Sequence, residues 1–444
     1  MNDFDVIERK MEAAGLSQAA IGAFRHSVNV LTSQQSMMIP EAEIAPADDV
    51  ADWESLTASA PEADAALLGQ AVLIKLNGGL GTGMGLQKAK SLLEIKPGVT
   101  FLDLIVRQVM SLRRRAGCPV RLLLMDSFST SADTMDYLKR YAAEGFADPQ
   151  QVEMIQNRVP KLCVDTLEPV SFPAHPELEW CPPGHGDLYP ALLGSGWLDR
   201  LLEAGVKYAF ISNSDNLGAQ LDTRFLRWFA ESGAPFVMEV TRRTEADKKG
   251  GHLAIRRSDG QPLLREVAQC PDEDLAAFQD ISKYRYFNTN NLWVRLDALR
   301  DFLAANGGVV PLPVIRNVKT VDPRDASTQK VYQVETAMGA AIQCFRGARV
   351  VCVPRSRFFP VKTCSDLLLL RSDAVEIRED GGMELAPECE GVAPVVLLNP
   401  KLYKLVESLG PLGVPSLKHA RRLVVNGPHH FADGEPICGE VVLD

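Results

Sequence analysis

The chain has 444 residues, 46% hydrophobic and 23% charged, with 47 Lys and Arg against 57 Asp and Glu for a formal net charge of −10. At roughly 100–200 residues per domain that length predicts two or three domains, with a core large enough to need no disulfide or metal staple. The acidic balance and the lack of a long basic stripe argue against a nucleic-acid partner; Arg113-Arg114-Arg115 reads as a solvated helix end. Nine cysteines between Cys118 and Cys438 form no CxxC pair, so reduced thiols in a cytoplasmic chain are expected. Met1 to Met11 is charged, unlike a signal peptide, and no run reaches the ~18 apolar residues of a membrane span. No membrane partner is expected.

Residues 1–65 predict helices and polar loops. Phe4, Ile7, Met11 and Leu16, then Ile21, Phe24, Val28 and Leu31, follow a helical period, and Pro40 and Pro46-Ala47-Asp48-Asp49 interrupt it. Over residues 66–375 apolar runs alternate with helical segments. Ala71–Leu76, Val120–Met125, Tyr208–Ser212, Phe236–Val240 and Asn291–Val294 read as strands. Phe101–Ala116, Tyr189–Ala204, Leu221–Glu231 and Thr336–Phe345 read as helices. This alternation predicts an α/β domain with a mixed, mostly parallel sheet covered on both faces. Residues 376–444 change to short apolar runs broken by Gly, Pro and Asp, which predicts a small β-rich appendage.

The first stretch with evident chemistry is Leu76-Asn77-Gly78-Gly79-Leu80-Gly81-Thr82-Gly83-Met84-Gly85, a glycine-rich loop leaving an apolar strand. Glycines let a ligand approach main-chain N–H groups, and consecutive N–H groups form an anion-binding concavity. GxGxxG fails because Met84 stands where glycine is wanted, and no Gly-Lys-Ser/Thr closes a P-loop. Lys90 follows closely enough to reach back to the loop. An ordinary tight turn is the alternative, and the glycine count argues against it.

Other constellations carry chemistry of their own. In Pro182-Pro183-Gly184-His185-Gly186-Asp187 two glycines flank a histidine able to donate to a phosphate or sugar hydroxyl, or simply solvated in a turn. In Phe210-Ile211-Ser212-Asn213-Ser214-Asp215-Asn216 a buried strand ends in a carboxylate. Mg²⁺ takes one or two carboxylates plus phosphate oxygens, which suits Asp215 unless it is only a turn cap. Lys362, in a proline-held aromatic segment, suits phosphate oxygens as a point charge, whereas Arg355 and Arg357 could be ion-pair partners. Asn288, Asn290 and Asn291 can hydrogen-bond sugar hydroxyls or form a turn.

The glycine loop, followed by Lys90-Ser91-Leu92 and Thr100-Phe101-Leu102-Asp103, resembles the nucleotide-binding signature of eukaryotic-type UTP–glucose-1-phosphate uridylyltransferases. It is most similar to the trypanosomatid form, which shares Gly-Thr-Gly-Met-Gly-Leu and the Ser365-Asp366-Leu367 region. The resemblance covers residues 70–375. It implies a Rossmann-like catalytic domain over 66–375 that joins UTP and glucose 1-phosphate into UDP-glucose and pyrophosphate with Mg²⁺. It further implies that Leu76, Asn77, Gly78, Gly79, Lys90, Gln156, Gly184, Asp215 and Lys362 bind UTP, with Gln156 reading the uracil. His185, Asn213, Ser214, Asp215, Asn288 and Asn290 would meet the sugar phosphate, Asp215 the metal, and Lys90 and Lys362 would be catalytic. Glu239 and Lys249-Gly250-Gly251-His252 match family stretches without a firm role.

No nucleophile–base pair is required, because a sugar phosphate already attacks well and Mg-pyrophosphate already leaves well, so positioning and charge neutralisation suffice. The tail is short for the family's left-handed β-helix, so a short β-helix and a monomer are expected. Competing readings are a broad-specificity UDP-sugar or UDP-N-acetylhexosamine pyrophosphorylase, a glycosyltransferase that consumes UDP-sugars, and a non-catalytic nucleotide-sugar sensor. A glycosyltransferase would commonly carry Asp-x-Asp, where Asn213-Ser214-Asp215 has one carboxylate. The two lysines speak against a sensor.

Overall fold

The computed structural model describes residues 4–33 and 38–444; the first three residues of the Met1–Met11 stretch lie outside them. Two compact units emerge. One comprises residues up to Ile74, Glu153–Ile211 and Thr223–Val353; the other comprises Lys75–Val152, Ser212–Asp222 and Pro354–Asp444. Compactness thus groups the chain differently from the segments 1–65, 66–375 and 376–444. The early helices pack within the first unit and the tail within the second, because the chain passes between units several times.

In the first unit the helices Asp5–Ala13 and Gln18–Thr32 form where the period predicts them, the second capped by the Ser17 side chain accepting from the Ala20 N–H. Their apolar faces, Phe4, Ile7, Met11, Ile21, Phe24 and Val28, join Val159, Leu162, Cys181, Val314 and Val334 in one cluster, with Leu16 and Leu31 packed against it. The sheet is mixed. Phe236–Arg242 runs parallel to Arg349–Cys352, which runs parallel to Ala51–Asp52. On its other side Phe236–Arg242 pairs antiparallel with Tyr286–Arg295, which pairs antiparallel with Tyr208–Asn213. Tyr286–Arg295 extends well before the Asn291–Val294 core expected, because its polar first half is held by pairing rather than by burial periodicity. The register shifts between Glu239 and Val240, and Asn290 opposite this break has φ 58°, the signature of a β-bulge.

Two expected helices differ. Tyr189–Ala204 is split into Leu188–Gly194 and Trp197–Glu203 by Gly196, left-handed at φ 73°. Thr336–Phe345 is a 3-10 run over Met338–Cys344 with Met338, Ala340, Ala341 and Ile342 buried.

In the second unit the chain leaves Ala71–Leu76 through the glycine loop, and the Asn77 N–H donates to the Met125 carbonyl of Arg121–Asp126 at 2.8 Å. The helix Phe101–Ala116 has the bounds expected. A Thr100–Asp103 capping box starts it and left-handed Gly117 ends it. The tail contributes Val395–Leu398, Ser416–Val425 and Pro436–Leu443, each parallel to the next, a short stack of parallel strands whose inward Val396, Leu398, Leu417, Leu423 and Val425 are buried. Among the described residues no helix is long and apolar enough to cross a membrane.

Candidate active site

In the second unit the glycine loop, the Asp215 turn and the Lys362 segment are tied together. The Lys90 N–H donates to the Gly79 carbonyl at 3.0 Å, and Gly81 sits at φ 67°, a conformation open to glycine. This folds the loop back so that Lys90 Nζ lies 2.6 Å from Asp215 Oδ2, with the two side chains 15% and 14% exposed. Asp215 Oδ1 is buried and has no hydrogen-bond partner among the described residues. The carboxylate therefore has one oxygen held by a cation and one lone-pair-bearing oxygen in reserve.

Other bonds position these groups. The Ser214 N–H donates to the Leu76 carbonyl at 3.1 Å, and the Val361 N–H donates to the Asp215 carbonyl at 3.3 Å. Asn216 Oδ1 accepts from the Phe359 N–H at 2.8 Å and its Nδ2 donates to the Arg357 carbonyl at 3.2 Å, pinning the Lys362 segment to the Asp215 turn. Asn77 is buried, its Nδ2 donating to Asp126 Oδ1 at 2.6 Å and Thr134 Oγ1 at 3.1 Å. Ser127 Oγ donates to the Gly78 carbonyl at 2.9 Å. Lys362 is exposed and makes no ion pair among the described residues; its backbone N–H is tied to Asp366 Oδ2 at 2.9 Å. Asn213 is half-buried at the strand end. Among the described residues no group of three or more His, Cys, Asp or Glu could hold a metal. A metal here would lean on Asp215 and on oxygens brought by a ligand.

The first unit builds a separate cluster. Gln156 Nε2 donates to the Gly184 carbonyl at 2.9 Å. Gly184 is at φ 79°, and a Cβ there would meet the Thr336 carbonyl oxygen at 2.5 Å, so only glycine fits. His185 Nδ1 accepts from the Met338 N–H at 3.0 Å, which places the proton of the neutral ring on Nε2. Asn288 and Asn290 engage each other across the bulge: Asn288 Nδ2 donates to Asn290 Oδ1 at 2.9 Å, and the Asn290 N–H donates to Asn288 Oδ1 at 3.0 Å.

Glu239, left without a role by the sequence, anchors this bulge. It is fully buried and accepts from Asn291 Nδ2 at 2.9 Å and Trp293 Nε1 at 2.8 Å, while its carbonyl accepts from Thr289 Oγ1 at 2.6 Å. His252 is a core residue, stacked on Tyr284 at 3.9 Å between ring centroids, and burial pushes it down to about 3. Lys75 is likewise structural, donating to Ser212 Oγ and the Ala219 carbonyl at 2.7 Å each.

Sequence reasoning missed Asn216, Asp126 and the pair Asn157 and Asp187. Asn216 and Asp187 lie inside quoted motifs, yet their partners lie far away in sequence and no spacing pattern signals them.

The family model of the UTP–glucose-1-phosphate uridylyltransferases matches residues 21–435. The chain belongs to this family. Its uridylyltransferase relatives include the enzyme of Saccharomyces cerevisiae, 44% identical over 89% of this chain and 78% of that protein, and that of Solanum tuberosum, 38% identical over 93% and 83%. Among solved structures, the UDP-glucose pyrophosphorylase of Leishmania major superposes with a TM-score of 0.93 at 47% identity, covering 100% of this chain and 94% of the other. The UDP-glucose phosphorylase of Trypanosoma brucei gives a TM-score of 0.89 at 43% identity over 99% of both chains. Uridylyltransferase membership agrees with the resemblance read from the glycine loop, down to the trypanosomatid relatives, and the fold is the mixed α/β architecture expected of it.

Proposed function

We propose that this chain transfers the uridylyl group of UTP to glucose 1-phosphate, giving UDP-glucose and pyrophosphate. A phosphate oxygen of glucose 1-phosphate forms a bond to the α-phosphorus of UTP as the bond to the β-phosphate oxygen breaks. The pyrophosphate leaves with that electron pair, and no proton needs to move. The observation that carries this reading is the Lys90–Asp215 pair at 2.6 Å beside the glycine loop, a cation and a carboxylate assembled at a main-chain anion cradle.

In this reading the loop from Leu76 through Asn77, Gly78 and Gly79 offers N–H groups to the triphosphate. Lys90 and Lys362 neutralise charge as it shifts towards the leaving pyrophosphate. Gln156 and Gly184 hold the uracil. His185, through its Nε2–H, and Asn213, Ser214, Asn288 and Asn290 orient the sugar phosphate. Asp215, with one oxygen unpartnered among the described residues, fits a hard divalent cation that completes its shell with phosphate oxygens, and Mg²⁺ is the natural occupant. When bound it supplies charge neutralisation to the triphosphate. The chain is taken to act as a monomer, and the free cysteines favour the cytoplasm. Pyrophosphate release from UTP dependent on glucose 1-phosphate tests the proposal; UTP consumption without pyrophosphate would refute it.

A further inference from the structure

We infer that Asp187 is a positioning residue for base selection, its carboxylate fixing the Gln156–Asn157 segment against the Gly184–His185 motif. Asp187 stands at the N-terminal cap of the helix Leu188–Gly194, where an aspartate ordinarily bonds its own helix's free N–H groups. It makes no such bond. Its carboxylate turns instead to a residue thirty positions back. Oδ2 accepts from the Asn157 N–H at 2.6 Å, and Oδ1 and Oδ2 accept from Asn157 Nδ2 at 3.0 and 3.2 Å. The residue is 4% exposed and forms no ion pair among the described residues.

A carboxylate buried without a cation carries a desolvation cost, and burial pushes Asp187 up to about 7. The Asn157 donors offset that cost, and they do so at the residue adjoining Gln156.

The consequence falls on the Gln156 amide. Its Nε2 donates to the Gly184 carbonyl at 2.9 Å, and a carbonyl can only accept. The amide is therefore fixed with Nε2 toward Gly184, and Oε1 is the acceptor it has left. The N3 of uracil carries a hydrogen and satisfies that acceptor; the N3 of cytosine is itself an acceptor and opposes it. Mismatched polar contacts of this kind discriminate strongly because they leave a buried group unpaired. The fixed direction depends on the backbone at residues 156–157 staying at its distance from residue 184, which the Asp187–Asn157 bonds set. The inference rests on the assignment of Gln156 to the base.

The test uses the full chain and measures kcat and KM for UTP and glucose 1-phosphate, with CTP as both alternative substrate and competitor. Asp187→Asn presents an amide to the Asn157 donors and halves the acceptors available. It is expected to raise KM for UTP and to lower the UTP-over-CTP preference, each about tenfold, as losing one well-made hydrogen bond does. kcat at saturation and KM for glucose 1-phosphate stay close to the parent values. Asn157→Ala, which keeps the backbone donor, shifts the same quantities less.

An Asp187→Asn enzyme with unchanged UTP-over-CTP preference, or with kcat lost equally on both nucleotides, overturns the inference. Should Asp187→Asn not fold, Asn157→Ala decides alone, and an unchanged preference there has the same meaning. Gln156→Ala separates the two layers. Relaxed preference in Gln156→Ala with none in Asp187→Asn sinks the inference alone. Intact preference in Gln156→Ala removes the base assignment and the inference with it.

Discussion

Replacing Lys90 by alanine perturbs the chemistry and the resting site together. Lys90 Nζ and Asp215 Oδ2 are 2.6 Å apart, at 15% and 14% side-chain exposure. At an effective dielectric near 20 the gross attraction is about 6 kcal/mol, most of it offset by the desolvation of both groups. What remains for the resting protein is the net worth of a charge-assisted hydrogen bond, on the order of 1.5–3 kcal/mol. The larger effect belongs to turnover, where a preorganised donor facing charge that develops in the transition state is worth about 2.7–4 kcal/mol, or roughly 10²–10³ in kcat. Lys90→Ala should therefore remain folded, with a modestly lowered Tm, and lose about two to three orders of magnitude in kcat in a continuous pyrophosphate-release assay. The double variant Lys90→Ala with Asp215→Ala should lose less than the sum of the two single losses, because the residues act on one another. Turnover of Lys90→Ala within tenfold of the parent enzyme would refute the role assigned to this lysine.

Further expectations follow from individual residues. Gly184→Ala drives a Cβ to 2.5 Å from the Thr336 carbonyl oxygen at φ 79° and should cost about 2–4 kcal/mol in a urea titration along with most activity. Asn290→Gly relieves the φ of 58° while removing an amide. Chemical denaturation should register little change, and KM for glucose 1-phosphate should rise more than KM for UTP. His252, held down to about 3 by burial, is neutral in the fold and charges readily when unfolded. The unfolded chain thus binds the extra proton between pH 6.5 and about 3, and the contribution of His252 to stability declines as pH falls through that window. His252→Phe should flatten this part of the urea-midpoint profile, and an identical slope in parent and variant would contradict the account.

The elements legible in the sequence were those whose cause is local. Ala71–Leu76 opens with four buried apolar residues in a row, and Phe101–Ala116 carries its own start and stop signals in Thr100, Asp103 and Gly117. The helices of Asp5–Ala13 and Gln18–Thr32 show in the spacing of Phe4, Ile7, Met11, Ile21, Phe24 and Val28 because one face is buried. Gly196 could have been read as a breaker within Tyr189–Ala204, and the left-handed conformation it takes is the reason the helix splits. Met338–Cys344 looked helical because Ala and Met favour helices, but its residues are buried nearly all round and wind more tightly. In the candidate site, the folded chain brings Lys90 to Asp215 and Gln156 to Gly184, residues singled out from separate motifs. The supports of these groups were not legible. Asn216 holds Phe359 and Arg357, Glu239 holds Asn291 and Trp293, and Asp187 holds Asn157. Each of these bonds joins residues that only the folded chain brings near, so no local spacing announces them.

The most direct test of the central claim is initial-rate pyrophosphate release by the purified chain with UTP and Mg²⁺ against a panel of sugar 1-phosphates. Glucose 1-phosphate should give the highest kcat/KM, with UDP-glucose as the product and no turnover when UTP is omitted. A rate on N-acetylglucosamine 1-phosphate equal to that on glucose 1-phosphate, or no pyrophosphate from either, would contradict the account.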